Sequence, residues 1–177
     1  HRDEELAGAE LYAGRAVDTQ YAFEEARRIV SFDSDFLHTE QASLSWSQGY
    51  GLGRKVRREG DEPARYYAFE TALTPTGSNA DHRWRMTYDE VGAALCALAV
   101  ALGSDAAGVR TRADLLPQAI RDKIALVAKD LREQNGNACV VVGRRQPAAM
   151  HALAHEIHRV LGAVRSGTND TGKPVWY

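Results

Sequence analysis

Three short apolar runs, separated by longer segments with helical periodicity, constrain the fold of this chain more than any other feature. The runs cover residues 28–32, 66–69 and 138–142, and each is bounded by loop residues. Short apolar runs of this kind predict buried strands, which are typical of parallel sheets. Because helical patterns lie between them, the sequence predicts an α/β fold in three layers, with a mainly parallel sheet flanked by helices.

Capping signals and apolar stripes predict three helices between and after these strands. The first begins at Thr87 and Glu90, which have capping-box spacing, the second at Pro117 and the third at Pro147. A glycine follows each pattern and favours a helix end there. The stripes are Val91, Leu95, Leu98, Ala99 and Leu102; Ile120, Ile124, Val127 and Leu131; and Met150, Leu153, Ala154, Ile157 and Leu161.

Weaker patterns predict the remaining elements. We expect helices over residues 3–12 and 41–57, although glycines weaken the end of the second one. The segment 54–62 is expected to be an exposed loop, 167–174 a polar loop, and 175–177 a terminal strand. The two cysteines, Cys96 and Cys139, lie inside apolar runs, so we interpret them as small buried hydrophobic side chains.

Length and charge exclude several classes of protein. A chain of 177 residues with 44% hydrophobic residues can bury one sizeable core, so we expect a single domain over residues 1–177. Its net charge of −2 gives no basic field for nucleic acid, and no apolar window approaches the ~20 residues of a membrane helix. The chain begins at His1, which favours a processed protein or a domain excised from a longer polypeptide.

Polar loops follow all three predicted strands. Asp33-Ser34-Asp35 follows the first, residues 71–81 follow the second after Glu70, and residues 143–146 follow the third. The carboxyl ends of parallel strands meet at one edge of a sheet, and ligands of open α/β sheets bind there. The sequence therefore predicts a polar crevice at this edge.

The residues around these loops resemble a known family. The matching segments are residues 29–37, the stretch 70–83 with Thr74-Pro75-Thr76-Gly77 and Ala80-Asp81, and residues 142–155. In order and spacing they are similar to the molybdopterin oxidoreductase-like subunit of bacterial alternative complex III, over about residues 20–162. The resemblance implies a Rossmann-like domain excised from that subunit. In working molybdenum enzymes such a domain cradles part of a molybdopterin guanine dinucleotide.

The resemblance also implies where that cofactor would bind. The candidate cofactor-binding residues are Glu70, Thr76, Gly77, Arg144 and Arg145. Working relatives tend to have a glycine in the first loop, whereas this chain has two carboxylates there. Each would repel a pyrophosphate by up to about 3 kcal/mol at ~5 Å and an effective dielectric constant of about 20.

Two interpretations of the crevice follow. Arg144 and Arg145 precede a predicted helix start and could form an anion site with its free N–H groups. Alternatively they pair with Asp33 and Asp35 and close the crevice without a ligand. We expect the closed, cofactor-free form, and binding of molybdopterin guanine dinucleotide is the alternative.

Other groupings give weaker predictions. His151, His155 and His158 share one helical face and could chelate zinc, but a solvated or interface-facing flank is the expected reading, so we predict no metal site. Ser34, His82 and Asp81 lack any fixed catalytic geometry, so no catalytic residue is predicted. We expect Asp81 instead to accept backbone N–H bonds and order its loop.

The expected function is therefore that of a catalytically silent scaffold. As the resemblance implies, the parent complex oxidises quinol and passes electrons to a periplasmic acceptor, at the periplasmic side of the bacterial inner membrane. Iron–sulfur clusters would lie elsewhere in the parent, because this segment has only two cysteines. The expected partners are other parts of the parent and neighbouring subunits. Five aromatic side chains are candidates for docking to them, and burial in the domain's own core is the alternative for each: Trp46, Tyr50, Trp84, Trp176 and Tyr177.

Overall fold

Strands and helices alternate along the chain in the computed structural model, which describes residues 2–40, 42–134, 136–165 and 172–177. The helices are α1 (Asp3–Ala13), α2 (Ser43–Gly53), α3 (Tyr88–Ala101), α4 (Val109–Ala113), α5 (Gln118–Arg132) and α6 (Ala148–Leu161). The strands are β1 (Gln20–Tyr21), β2 (Arg28–Phe32), β3 (Arg65–Glu70), β4 (His82–Arg85), β5 (Ala138–Val142) and β6 (Val175–Trp176). A short 3₁₀ turn covers Gly77–Asn79.

A four-stranded parallel sheet in the order β4-β3-β2-β5 forms the centre of the fold. In its register, Ile29 of β2 lies opposite Tyr66 of β3 and Cys139 of β5. The short strands β1 and β6 pair antiparallel in a separate ribbon. The predicted α/β fold with a parallel sheet flanked by helices is confirmed, and so are the three strands found from apolar runs.

The fourth strand, β4, escaped prediction because its sequence has no apolar run. Its residues His82 and Arg85 are exposed, and β4 lies at the edge of the sheet. The segment 71–81 leaves the carboxyl end of β3 and returns to the start of β4, where Asp81 N donates to the Tyr66 carbonyl. The prediction that all of 71–81 lies at the carboxyl edge is therefore wrong for its last residues.

The helix predictions hold with small shifts of their ends. The capping box between Thr87 and Glu90 is present, and Pro117 and Pro147 are the N-cap residues of α5 and α6. Helix α2 is shorter than the predicted 41–57, and α4 was not predicted. Gln41, Asn135 and most of the predicted loop 167–174 lie outside the described residues.

Aromatic rings pack on both faces of the sheet. On one face Phe69 stacks between Phe32 and Trp84, at 5.1 and 4.7 Å between ring centroids. On the other face Tyr66 meets Phe36 and the α2 side chain Tyr50 edge to face. Cys96 and Cys139 are buried free thiols, as predicted, and burial raises the pKa of each. The core therefore fills both sides of the sheet.

Asp130 of α5 ties the amino ends of β2 and β3 to this helix. Its Oδ2 accepts hydrogen bonds from Arg28 Nε at 2.6 Å, Arg65 at 3.1 Å and the Tyr67 hydroxyl at 2.6 Å. Burial alone would raise the pKa of Asp130, but the hydrogen bonds from Arg28 and Tyr67 lower it. The Arg28 side chain is only 9% exposed, so its charge depends on this carboxylate.

Replacing that carboxylate tests its role. Asp130→Ala leaves the buried Arg28 guanidinium without its counter-charge, so we expect it to lower the free energy of unfolding by about 3 kcal/mol. The control is Glu133→Ala, at the C-cap of the same helix. It removes a 3.9 Å ion pair with Lys129 between largely exposed side chains, and should change the free energy of unfolding by less than ~0.5 kcal/mol. Urea denaturation measures both, and equal effects would refute the assignment.

Candidate functional site

The carboxyl edge of the sheet begins at Asp33, directly after β2. Its backbone is left-handed, with φ of 55°, a conformation that favours glycine. Its side-chain Oδ1 accepts hydrogen bonds from the Thr71 N–H at 3.1 Å and the Thr71 hydroxyl at 2.8 Å. The first carboxylate of the crevice is therefore bound to the loop that follows β3.

Asp35 makes the same kind of contact further along that loop. Its Oδ1 accepts from the Thr76 N–H at 3.2 Å and the Thr76 hydroxyl at 2.6 Å. The Thr76 hydroxyl oxygen also accepts from the Leu37 N–H at 3.0 Å, and the residue is fully buried. Thr76, a candidate cofactor contact, is thus occupied by the protein itself.

Glu70, at the end of β3, is 2% exposed and points into its own loop. Its carboxylate forms an ion pair with Arg83 of β4 and accepts from the Thr74 hydroxyl at 2.7 Å. Gly77 lies against it, and a Cβ added at this glycine would overlap the carboxylate. Glu70 and Gly77 are therefore brought together, but as a packed pair rather than as two walls of an open site.

Gly143, after β5, brings the third loop against the first. Its N–H donates to the Phe32 carbonyl at 2.9 Å. A Cβ on Gly143 would overlap the carbonyl oxygen of Asp33, so only glycine permits this backbone contact. Apart from the last residues of 71–81, the three loops converge on one edge, as predicted.

The two arginines of the third loop face different sides. Arg145 lies 3.4 Å from Asp33 Oδ2 and lines an open depression with Thr71, Arg85 and Tyr88. Arg144 lies on the other side, near Glu40. Burial and the neighbouring Glu5 raise the pKa of Glu40, and Arg144 opposes this shift only in part. The predicted closure by two arginine–aspartate pairs is therefore correct only for Arg145 and Asp33; Asp35 is held by Thr76 instead.

Ser34, His82 and Asp81, the third polar grouping of the sequence, do not form a common site. Ser34 donates to Glu40 at 3.4 Å, whereas His82 stacks on Tyr67 at 5.2 Å in the sheet. Asp81 Oδ2 accepts from the Tyr66 N–H at 2.7 Å, so it does accept a backbone N–H as predicted, and the donor is in β3 rather than in its own loop. It also pairs with Arg54, and Arg54 lowers its pKa.

The three histidines of α6 overturn one prediction. His151, His155 and His158 are 7%, 5% and 0% exposed, so this flank is neither solvated nor free to face a partner. Helix α1 covers it: a Cβ on Gly8 would overlap His151 Cβ, and Tyr12 stacks on His155 at 5.5 Å. Within the described ranges, no three histidine, cysteine or acidic side chains are arranged to hold a metal ion.

The aromatic side chains proposed for docking lie mostly against the protein's own core. Tyr50 is buried, so docking through it is excluded. Trp46 meets Tyr21 edge to face at 5.4 Å, and Trp84 stacks on Phe69. The partly exposed members are Trp46, Trp84, Trp176 and Tyr177. Across the described part of the chain, every helix is too short or too polar to cross a bilayer.

The sequence analysis named Thr76 only as a cofactor contact, and it missed that Thr71 and Thr76 together hold the edge of the sheet. Thr71 donates its N–H and its hydroxyl to Asp33, and Thr76 donates the same two groups to Asp35. The available signal was the presence of two short acids in one loop and of several threonines, which can donate to them, in the next.

A scan against protein-family models gives no match to this chain, and a search of curated proteins gives no significant one.

Asp33 offers a test of the loop contact. Asn tolerates a left-handed backbone and keeps an acceptor for Thr71, so Asp33→Asn should lower the free energy of unfolding by less than about 1 kcal/mol. Asp33→Ala loses both hydrogen bonds and strains the backbone, so we expect a loss of about 3 kcal/mol. Urea denaturation of both variants decides the point. Equal losses would show that the hydrogen bonds to Thr71 contribute little.

The buried histidines predict acid sensitivity. Burial lowers the pKa of His151 and His155 to about 4 and that of His158 to about 3. The unfolded chain takes up these protons near pH 6.5 and the folded chain does not. The contribution of the neutral histidines to the free energy of unfolding is thus fully present above about pH 6.5. It falls towards pH 4 by up to ~1.4 kcal/mol per histidine per pH unit.

Urea denaturation at a series of pH values measures this dependence. His155→Phe keeps a ring stacked on Tyr12 and removes one titrating group, so the proton uptake on unfolding near pH 5 should fall by about one. Val160→Phe, at an exposed position of the same helix, is the control and should leave the uptake unchanged. Unaltered uptake in His155→Phe would contradict the neutral, buried state of this histidine.

Proposed function

We propose that this chain is a non-catalytic, three-layer Rossmann-like scaffold domain of a respiratory quinol:acceptor oxidoreductase subunit. The subunit would be of the molybdopterin oxidoreductase-like type found in bacterial alternative complex III. The order and spacing of the segments 29–37, 70–83 and 142–155 support this family. The domain would pack against a cluster-bearing part of its parent and against neighbouring subunits on the periplasmic side of the membrane.

One observation carries the non-catalytic part of the proposal. The groups that a dinucleotide phosphate would need at the strand ends are used by the protein itself. Asp33 and Asp35 place negative charge there and bind Thr71 and Thr76, and the N–H groups of both threonines already have acceptors. A phosphate entering this edge would meet carboxylates and lose donors, which disfavours an anionic ligand.

The alternative is binding of molybdopterin guanine dinucleotide through Glu70, Thr76, Gly77, Arg144 and Arg145. These residues do not fit that group as they are arranged. Glu70 and Gly77 contact each other, Thr76 is fully buried, and Arg144 and Arg145 face different sides of the third loop. Among the described residues that line the open depression, the only cations are the exposed side chains of Arg85 and Arg145.

Guanine nucleotide binding tests the closed edge. We expect ~5 mM guanosine diphosphate to leave the melting temperature unchanged. A ligand with a Kd of ~50 μM would add about 2.7 kcal/mol at that concentration, which thermal denaturation detects easily. A stabilisation that is lost in Arg145→Gln would contradict the proposal and favour the alternative.

The family assignment needs a separate experiment on the longer protein. The parent subunit, purified from its native membrane with its complex, should contain iron and acid-labile sulfide but no stoichiometric molybdenum. Elemental analysis measures this directly. Stoichiometric molybdenum would refute the cofactor-free domain, and absence of this chain from any quinol-oxidising complex would refute the scaffold role.

A further inference from the structure

A partly open cavity of about 140 Å³ lies between the carboxyl ends of β2 and β5 and the N-terminal segment that covers them. It is separate from the open depression beside Arg145. Strand β2 has β3 on one side and β5 on the other, so the chain's direction of winding reverses between β2 and β5. In open α/β sheets this reversal point is where ligands bind.

Aromatic and apolar side chains form much of the cavity wall. Tyr21 and Trp46 line it from β1 and α2, with their rings edge to face at 5.4 Å. Val141 of β5 and Ala154 of α6 line it from the opposite side. Walls of this kind suit a flat ring, since aromatic pairs and apolar contacts favour one.

His151 contributes an unused hydrogen-bond acceptor. Burial lowers the pKa of His151 and keeps the ring neutral, while the backbone of Gly143 and Gln146 opposes this shift, as carbonyl oxygens that accept from a ring N–H do. This favours the tautomer with its proton on Nδ1. The other nitrogen, Nε2, is buried and has no hydrogen-bond partner among the described residues. The neutral ring therefore has an unpaired acceptor beside the cavity that this residue lines.

His158 contributes the opposite group. Its Nε2 accepts a hydrogen bond from the Val140 N–H at 2.9 Å, so the proton of the neutral ring is on Nδ1. That Nδ1 is buried and also lacks a partner among the described residues. His151 and His158 are seven residues apart on α6, which corresponds to ~10.5 Å along the helix axis. The cavity thus has an acceptor towards one end and a donor towards the other.

The charged side chains around the cavity are compensated. Arg2 pairs with Glu5 at 3.1 Å and with Asp18, and Arg144 lies near Glu40. Since each described cation of the lining has a carboxylate beside it, a charged ligand would have to displace an existing partner. The electrostatics therefore favour an uncharged ligand.

We propose that this cavity binds a small uncharged aromatic molecule with a hydrogen-bond donor at one end and an acceptor at the other. A cavity of about 150 Å³ holds benzene, so this cavity of about 140 Å³ accepts a single aromatic ring, and it is partly open, which leaves room for small polar substituents. The polar atoms of a para-substituted ring are about 6 Å apart, and hydrogen bonds of ~2.9 Å at each end bridge about 12 Å. The donor would meet His151 Nε2, and His158 Nδ1–H would meet the acceptor.

The probe for this site is 4-hydroxybenzyl alcohol, added to the ¹⁵N-labelled chain. Binding should be saturable, with a Kd on the order of 1 mM as is usual for so small a compound. We expect it to shift the ring ¹⁵N resonances of His151 and His158. Two comparison compounds isolate the polar contacts and the charge: p-xylene and 4-hydroxybenzoate should each bind at least about 10-fold more weakly.

Matched variants locate the site. Ala154→Leu places a larger side chain in the cavity and should weaken the binding of 4-hydroxybenzyl alcohol by at least about 10-fold. Ala149→Leu makes the same change at an exposed position of α6 and should leave the affinity unchanged. Should Ala154→Leu fail to fold, the ¹⁵N shifts of the unmodified chain decide the question.

The outcomes are distinct. Absence of saturable shifts at His151 and His158 would overturn the proposal and identify the cavity as a water site. Equal binding of p-xylene would overturn the role of the two histidines, and tighter binding of 4-hydroxybenzoate would overturn the preference for an uncharged ligand. None of these results bears on guanine nucleotide binding at the strand ends, so this inference and the proposed scaffold function fail independently.

Discussion

Two carboxylates at the end of a buried parallel strand impose the constraint on which the edge of the sheet depends. Asp33 and Asp35 follow β2, and the strands on either side leave little water to solvate them. Each binds one threonine of the next loop through its N–H and its hydroxyl. These four hydrogen bonds draw residues 71–76 over the edge of the sheet, because an unpaired buried carboxylate would be far more unfavourable.

The same contacts decide what the edge can recognise. Anion sites of α/β proteins depend on free N–H groups and on glycines that let a phosphate approach the backbone. Here Gly143 and Gly77 do provide close approach, but what approaches is Asp33 in one case and Glu70 in the other. Asp33 has the left-handed backbone that favours glycine, and its side chain occupies the space that glycine would leave open. The backbones of these loops approach closely, and side chains fill the space between them.

Periodicity in the sequence was sufficient to predict the central sheet and most helices, since apolar runs and caps are local properties. It missed β4, because an edge strand with exposed His82 and Arg85 has no apolar run. It also misplaced the α6 histidines, because a polar stripe indicates one face of a helix but not what covers that face. The cover is α1, which reaches His151 through Gly8. A glycine inside a predicted helix was the available signal for such close packing.

Buried polar atoms have hydrogen-bond partners on one side of the third loop and lack them on the other. This difference distinguishes a closed edge from a pocket. At the Arg145 end, the carboxylates and the loop N–H groups described above are paired. On the other side, one nitrogen each of His151 and His158 is buried without a partner among the described residues. Each such atom lowers stability by about 1–3 kcal/mol unless something binds it. A ligand that satisfies these nitrogens would therefore bind where α1 and α6 meet, away from Arg145.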